Sequence, residues 1–461
     1  MARVCIVARK PLEWNYRIQR QVTELADAGH EVTLISLSAP QDLEQSTNVR
    51  IITVDTYGPA GHVFAYLREQ GAVRRKLIEK SINGTGAVLK RTDALTGVGG
   101  EYDYDMRGVI RRFQSEYGAP LISRSFVGDI PDRVFWMDFD VVQVHDSYAI
   151  SAGIEIAERT DARLVADIVE LATERTGDAL KSESVISSIV VKKWFKRVYS
   201  KFHDSIAVGD GVASWTAEEL DIDKPTIIRN CRPAALRDIE PPYDIRAETP
   251  MPDDALLGVF VGAIRETIGV DSLLRALPRL DREVYVSLLG PGHDSDYAEH
   301  LRETAEETGV SEKLNFIDPV NAREVPATIM SADFGFHGLD DSALNNIYAL
   351  PNKFFEYVTA QIPLAVPNYP DMGGLVKEYD MGVSFAEVAP EEIASSLENL
   401  FENYDRYKEN VVEASRELTW ANEAEKYRTL IEEQAAESTE KRPAYEWIDG
   451  DRGTVGSGQI Q

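Results

Sequence analysis

The residues best suited to chemistry lie in one stretch, Asn345-Asn346-Ile347-Tyr348-Ala349-Leu350-Pro351-Asn352-Lys353-Phe354-Phe355-Glu356-Tyr357. It reads as a loop followed by a helix start. Pro351 resists helix before it, and Asn352 can cap the helix that follows. A helix N-terminus offers free N–H groups and the positive end of a dipole, which suits a phosphate. Lys353 adds a full charge there. Glu356, three residues on, returns to nearly the same face. A carboxylate at that place can accept from both hydroxyls of a ribose while the ammonium meets a diphosphate. The competing reading of Lys353 is a solvated helix lysine.

Such a site needs a scaffold, and the chain supplies one. Short β-rich apolar runs alternate with segments of helical period. Strands are expected over Val4–Ala8, Val32–Ser36, Ile51–Val54, Val141–Val144, Leu164–Asp167 and Ser205–Val208. A second series covers Leu257–Val261, Val284–Leu289, Leu314–Ile317, Phe334–His337 and Leu364–Val366. Helices are expected between most of them, including Tyr16–Ala28, Ser151–Arg159, Tyr297–Thr308, Asn352–Ala360 and Glu391–Asn403. This alternation implies an α/β protein whose parallel sheets are covered on both faces. Prolines and charges crowd Pro233 to Pro252, as in a linker. The expected division is an N-terminal domain over 1–235, a linker over 236–255 and a C-terminal domain over 256–415. A helix over 416–436 is expected to pack back on the first domain, and 437–461 is expected to be a disordered tail. Open α/β sheets bind ligands beyond the C-terminal ends of their strands, so two facing sheets would form a binding cleft.

Composition sets limits. The 461 residues suit two domains and a tail. A net charge of −28 disfavours nucleic-acid binding. The acids are spread along most of the chain, a pattern that resembles the surfaces of proteins from salt-loving organisms. An ordinary acidic cytosolic enzyme is the plainer reading. No apolar run reaches the roughly 18 residues of a membrane span, and no secretory signal is expected. The two cysteines, Cys5 and Cys231, lack metal-ligand spacing and suit a reducing cytoplasm. Two stretches run against the acidic background. Residues 61–126 carry 11 Lys and Arg against 7 Asp and Glu, and 190–202 sets Lys192, Lys193, Lys196, Arg197 and Lys201 among aromatics. Both suit peripheral contact with an anionic membrane or a lipid-phosphate acceptor. Solvated helices with snorkelling lysines are the alternative.

The stretch from Ala349 to Val366 resembles the donor-site signature of glycosyltransferase family 4, in the branch reading "ALPNK-x-x-EY". The resemblance continues through Pro370-Asp371-Met372-Gly373-Gly374. It also takes in Phe260-Val261-Gly262 with Gly269-Val270-Asp271, and Leu288-Leu289-Gly290-Pro291-Gly292. In the first half, Arg17-Ile18-Gln19-Arg20, Ala28-Gly29-His30-Glu31-Val32 and Asp140-Val141-Val142-Gln143-Val144-His145-Asp146 resemble family segments in the family's order. It thus covers about residues 1–430 except 61–126. It implies the GT-B fold, two Rossmann-like parallel-sheet domains facing a cleft.

The resemblance also implies roles. Glu356 would hold the ribose, while Arg265 and Lys353 would neutralise the leaving diphosphate. His145, beside Asp146, would reach the sugar across the cleft. Backbone N–H groups near Gly262, Gly290, Asn352, Gly373 and Gly374 would complete the phosphate and sugar pocket. Cations aimed at charge developing on a leaving group are the main catalytic device such a site needs. The implied reaction retains anomeric configuration, uses a nucleotide diphosphate sugar and needs no metal or other cofactor. The implied acceptor is a glycan or a lipid-linked molecule. Two positions depart from the pattern. Tyr348 stands where the family often has a glutamate, whose sugar contact Asp340, Asp341 or Asn345 would have to supply. Ile268 stands where a cation is usual. These departures keep open a non-catalytic donor-binding scaffold. A nucleotide-sugar epimerase shares the fold and is the other alternative. Asp138-Phe139-Asp140, Gly209-Asp210-Gly211 and Gly84-Thr85-Gly86 are short enough to recur by chance.

Overall fold

The computed structural model describes residues 1–55 apart from 14, 41, 42, 44 and 45, then 120, 122–171 and 185–439. Most of 61–126 and all of 440–461 therefore lie outside the described residues.

Thirteen described strands form two sheets, each parallel throughout. The first holds β1 (Arg3–Val7), β2 (Glu31–Ser36), β3 (Val49–Thr53), β4 (Val141–Val144), β5 (Arg163–Ile168), β6 (Asp204–Ala207) and β7 (Thr226–Ile227). Its order is β3-β2-β1-β4-β5-β6-β7. The second holds β8 (Leu256–Val261), β9 (Val284–Leu289), β10 (Leu314–Ile317), β11 (Phe334–Phe336), β12 (Leu364–Pro367) and β13 (Gly382–Phe385), in the order β10-β9-β8-β11-β12-β13. The central strands are buried on both faces, which explains their unbroken runs of Val, Ile and Leu. In each sheet the order reverses once, between β1 and β4 and between β8 and β11. Ligands gather at such reversals.

The chain crosses between the domains twice at one place. Arg232 leaves the first domain, and Thr419 and Trp420 return to it. The Trp420 N–H donates to the Arg232 carbonyl at 3.0 Å. The helix expected over 416–436 runs Trp420–Thr439. Trp420, Tyr427 and Ile431 join Val4, Ile18 and Val165 in the core on one face of the first sheet.

Beneath that helix lies a buried polar network. Arg17 meets Asp167 in a two-pronged ion pair at 2.8 and 2.9 Å. Its other nitrogen donates to the Ile228 carbonyl and to Asn230. Gln21 donates to Asp167 at 2.9 Å, and Tyr427 donates to Gln143 at 2.6 Å. Arg17 at 5% exposure and Asp167 at 4% are tolerable only because each satisfies the other. The pair ties the first helix to β5 and to the end of β7. Asp167→Asn should therefore leave the Arg17 charge stranded and destabilise the fold by about 3–5 kcal/mol. Urea unfolding checks this; a loss within experimental error would show that the pair carries nothing.

Candidate functional site

A cavity of about 690 Å³ lies at the C-terminal ends of β8, β9 and β11, with Glu170, Val212 and Asn230 of the first domain on its far wall. The loops after β8 and β9 form its floor. Gly262 has φ +121°, a conformation that L side chains rarely adopt. Gly290 packs so closely on the Gly262 carbonyl that a Cβ would collide with it. The two glycines let the backbone approach whatever occupies the cavity.

The helix Asn352–Thr359 points its N-terminus into this space, since Pro351, Asn352 and Lys353 all line it. One expectation is corrected here. Asn352 is the first residue of the helix and does not cap it. Pro351 is the cap residue, in an extended conformation, and no side chain closes the first turn. Proline has no side-chain oxygen to accept from the N–H groups of the first turn, so the helix starts without a side-chain cap.

Lys353 rises from the first turn. Its Nζ lies 4.4 Å from the centre of the Phe260 ring, and a Cβ on Gly262 would stand 3.3 Å from it. Burial, aided by Arg265 and opposed by Glu356, pushes the ammonium down to about 7. Arg265 lines the same cavity in an exposed, extended position. Glu356 lines it one turn further along, 6% exposed. Burial pushes its carboxyl up, opposed by Arg232, Lys353 and Arg20. Arg232 Nη2 stands 3.7 Å from Glu356 Oε1. Lys353, Arg265, Glu356, Gly262, Gly290 and Asn352 are thus brought to one cavity.

His337 joins them and was not singled out from the sequence. It follows β11 at the point where strand order reverses, stacks on Phe260 at 6.3 Å and lines the cavity. Both of its ring nitrogens are buried with no hydrogen-bond partner among the described residues. Burial, then Lys353 and Arg265, push it well below the usual histidine range. That shift favours the neutral imidazole, which keeps one N–H to offer. Its place at the end of an expected strand was the available signal.

His145 and Asp146 lie elsewhere. Both line a smaller hollow of about 290 Å³ at the reversal between β1 and β4, which meets the larger cavity at Val169 and Glu170. His145 Nε2 is 2.8 Å from Gln143 Nε2, and Nδ1 is 3.1 Å from Asp167. The Gln143 amide donates to Nε2, so Nδ1 carries the proton and donates to Asp167. Burial, outweighing Asp167, holds the ring down to about 4. Neither nitrogen remains for a substrate, which counts against the sugar contact expected of it. The Asp146 carboxylate accepts from the backbone N–H groups of Arg9, Tyr148 and Ala149, as a turn-former does. Gly373 and Gly374 open the helix Met372–Tyr379, outside the lining of the cavity.

The two departures also have structural uses. Ile268 is 1% exposed in the apolar core of the second domain. Tyr348 packs on the first domain's core and leaves no room for a Cβ at Gly211. Asn345 lines the cavity, but its side-chain oxygen accepts from Leu171 N–H of the first domain at 2.8 Å. Asp340 bonds within its own loop, to Ser342 and Asn346.

Chemically, a helix end, one ammonium, one guanidinium and one imidazole face the same space in a strongly acidic chain. That arrangement suits an anion with several acceptor oxygens, such as a diphosphate. The lowered Lys353 gives the binding a pH sign. A diphosphate restores the ammonium, so binding takes up a proton above pH 7. Affinity for a nucleotide sugar should be full below about pH 7 and fall as pH rises through it. Lys353→Arg should flatten that dependence. Calorimetric titration at pH 6 and pH 9 checks both, and a pH-independent wild type would remove Lys353 from the site.

Comparison with known proteins follows the same line. Residues 243–418 match the family described as glycosyl transferases group 1. No curated protein sequence matches the chain. Among solved structures, sucrose-phosphate synthase from Thermosynechococcus elongatus is 13% identical with a TM-score of 0.64, covering 95% of this chain and 100% of that one. A glycosyltransferase from Rickettsia africae is 11% identical with a TM-score of 0.61, covering 94% and 98%. HepE from Anabaena, solved in complex with UDP and glucose, is 10% identical with a TM-score of 0.61, covering 94% and 100%. At these identities the likeness is one of fold, the GT-B arrangement of two parallel-sheet domains.

Proposed function

Since residues 243–418 of this chain belong to the group 1 glycosyl transferases, which move a sugar from a nucleotide-sugar donor, we propose that the larger cavity is the donor site and that transfer retains anomeric configuration. The observation that carries this is the meeting of Lys353, Arg265 and Glu356 in one cavity at a strand-order reversal. Glu356 accepts from the ribose hydroxyls. Lys353 and Arg265 meet the diphosphate, with His337 donating an N–H beside them. As the sugar–phosphate bond breaks, negative charge grows on the leaving oxygen. Cations already in place stabilise it without reorganising. The departing phosphate accepts the proton of the attacking acceptor hydroxyl.

The acceptor, a glycan or a lipid-linked molecule in this reading, approaches from the hollow lined by Arg9, Lys10 and Tyr199, which opens into the donor site at Glu170. A cytoplasmic enzyme at the inner membrane face fits the helix Val185–Tyr199. Lys193, Lys196 and Arg197 are exposed there, with Ile189 and Val190 beside them. Lys192 and Lys201 are already paired with Glu219 and Glu158. Flotation with anionic liposomes checks the membrane contact: the protein should co-migrate at low salt, and failure to do so removes the contact without touching the donor site.

A donor-binding scaffold without turnover is the second reading, favoured by Tyr348, which packs between the domains where the family often has a glutamate. One experiment separates the two. Wild type should hydrolyse or transfer its cognate donor from a nucleotide-sugar panel. Lys353→Ala should lose about 3 kcal/mol of transition-state stabilisation, roughly a hundredfold in rate. Donor binding with no turnover across acceptors would establish the scaffold. Unchanged turnover in the variant would refute the role given to Lys353.

A further inference from the structure

A second cavity, of about 520 Å³, lies where the chain crosses between the domains. Arg20 of the first helix, Arg232 of the outgoing crossing, Trp420 of the return crossing and Arg323 of the second domain all line it. The Arg20 side chain is the anomaly. Nε, Nη1 and Nη2 are all buried, and none has a hydrogen-bond partner among the described residues. Its guanidinium lies 5.1 Å from the centre of the Trp420 ring. A ring face attracts the charge but leaves the five N–H donors unfilled. Burial, then repulsion from Arg232 and Arg17, pushes Arg20 down to about 9, against Cys231 and Glu356.

Arg232 adds to the deficit. Nη2 donates to the Ala322 carbonyl at 2.5 Å, but Nε is buried without a partner. Glu356, on the donor side, stands 3.7 Å from Arg232 Nη2 but hydrogen-bonds neither Arg232 Nε nor any Arg20 nitrogen, and the acids at the rim do not compensate. Glu24 is taken by Arg428 at 2.6 Å, and Asp27 is exposed. Buried guanidiniums with open donors, facing one cavity, are expensive to leave unpaired. An anion with several acceptor oxygens completes them.

We propose that this hinge cavity binds a phosphate-bearing anion, held between Arg20 and Arg232. The cavity exceeds the volume of a phosphate ion and has room for a sugar-sized group attached to it. This cavity is distinct from the donor cavity but adjoins it through Arg232, which stands 3.7 Å from Glu356. Arg323 and Trp420 play no part in the donor reading, and Arg20 enters it only by opposing the upward shift of Glu356.

The test is calorimetric titration of the full chain with inorganic phosphate and, separately, with glucose 6-phosphate. The donor cavity is blocked by saturating UDP in one series and disabled by Lys353→Met in another. Saturable binding is expected in both series. Arg20→Gln should weaken it roughly tenfold or more, the scale of a charge-assisted contact. Arg20→Lys should recover part of it. Tighter binding of glucose 6-phosphate identifies a phosphomonoester as the ligand, and equal binding identifies phosphate itself. Phosphate should also raise the melting temperature of wild type and leave that of Arg20→Gln unmoved. Without ligand, Arg20→Gln should melt no lower than wild type, because it removes an unpaired buried charge. The proposal is overturned by an absence of saturable binding, by binding that Arg20→Gln leaves within twofold, or by binding that Lys353→Met abolishes.

Discussion

The ammonium of Lys353 is held over the face of Phe260, with Arg265 and His337 at its side and, among the described residues, no carboxylate hydrogen-bonded to it. Burial drives that charge toward neutrality, Glu356 opposes the drive, and an incoming anion would reverse it. Much of the second domain serves to hold it there. The reversal of strand order between β8 and β11 opens the space. Gly262 and Gly290 keep side chains out of it. The start of the helix Asn352–Thr359 aims both the lysine and the backbone dipole into it. In the donor-site reading proposed above, a cation held in place before substrate arrives would be preorganised for the charge that develops in transfer.

The first domain closes the other side, and both polar and apolar contacts bring it there. The Asp371 carboxylate accepts from the N–H groups of Asp210 and Gly211 at 2.9 Å each, at the start of the helix Asp210–Leu220. Asn345 accepts from Leu171 N–H. Tyr348 fills the gap between them against the first domain's core. Burial pushes the Asp371 carboxyl up, while the two N–H groups oppose the shift. The positions where the chain departs from the family 4 pattern are therefore occupied by residues that join the domains or fill the core.

Much of this was legible because parallel strands buried on both faces leave unbroken apolar runs. β4, β9 and β10 fall on the residues read from the sequence. β7 and β13 were missed. The first has two residues, and the second has four and begins with a glycine, so neither carries enough β-branched residues to stand out. Lys353 and Glu356 were legible because a helix start fixes their spacing and face. For His145 the sequence left two readings, a cleft residue and a satisfied core histidine, for a physical reason. A histidine at a strand end looks alike whether it faces a cleft or a buried carboxylate. Only the fold brings Asp167 and Gln143 to its two nitrogens. His337 and Arg20 were hidden in the same way, since an unpartnered nitrogen is a property of packing and not of order along the chain.

The central claim is that a diphosphate and its ribose sit between Lys353 and Glu356. A crystal structure of the chain with bound UDP tests it most directly. The account predicts phosphate oxygens within hydrogen-bond distance of Lys353 Nζ and the N-terminal amides of its helix, with ribose hydroxyls on the Glu356 carboxylate. Density for the nucleotide in the hollow beside His145, or in the hinge cavity beside Arg20, with Lys353 left uncontacted, would contradict it.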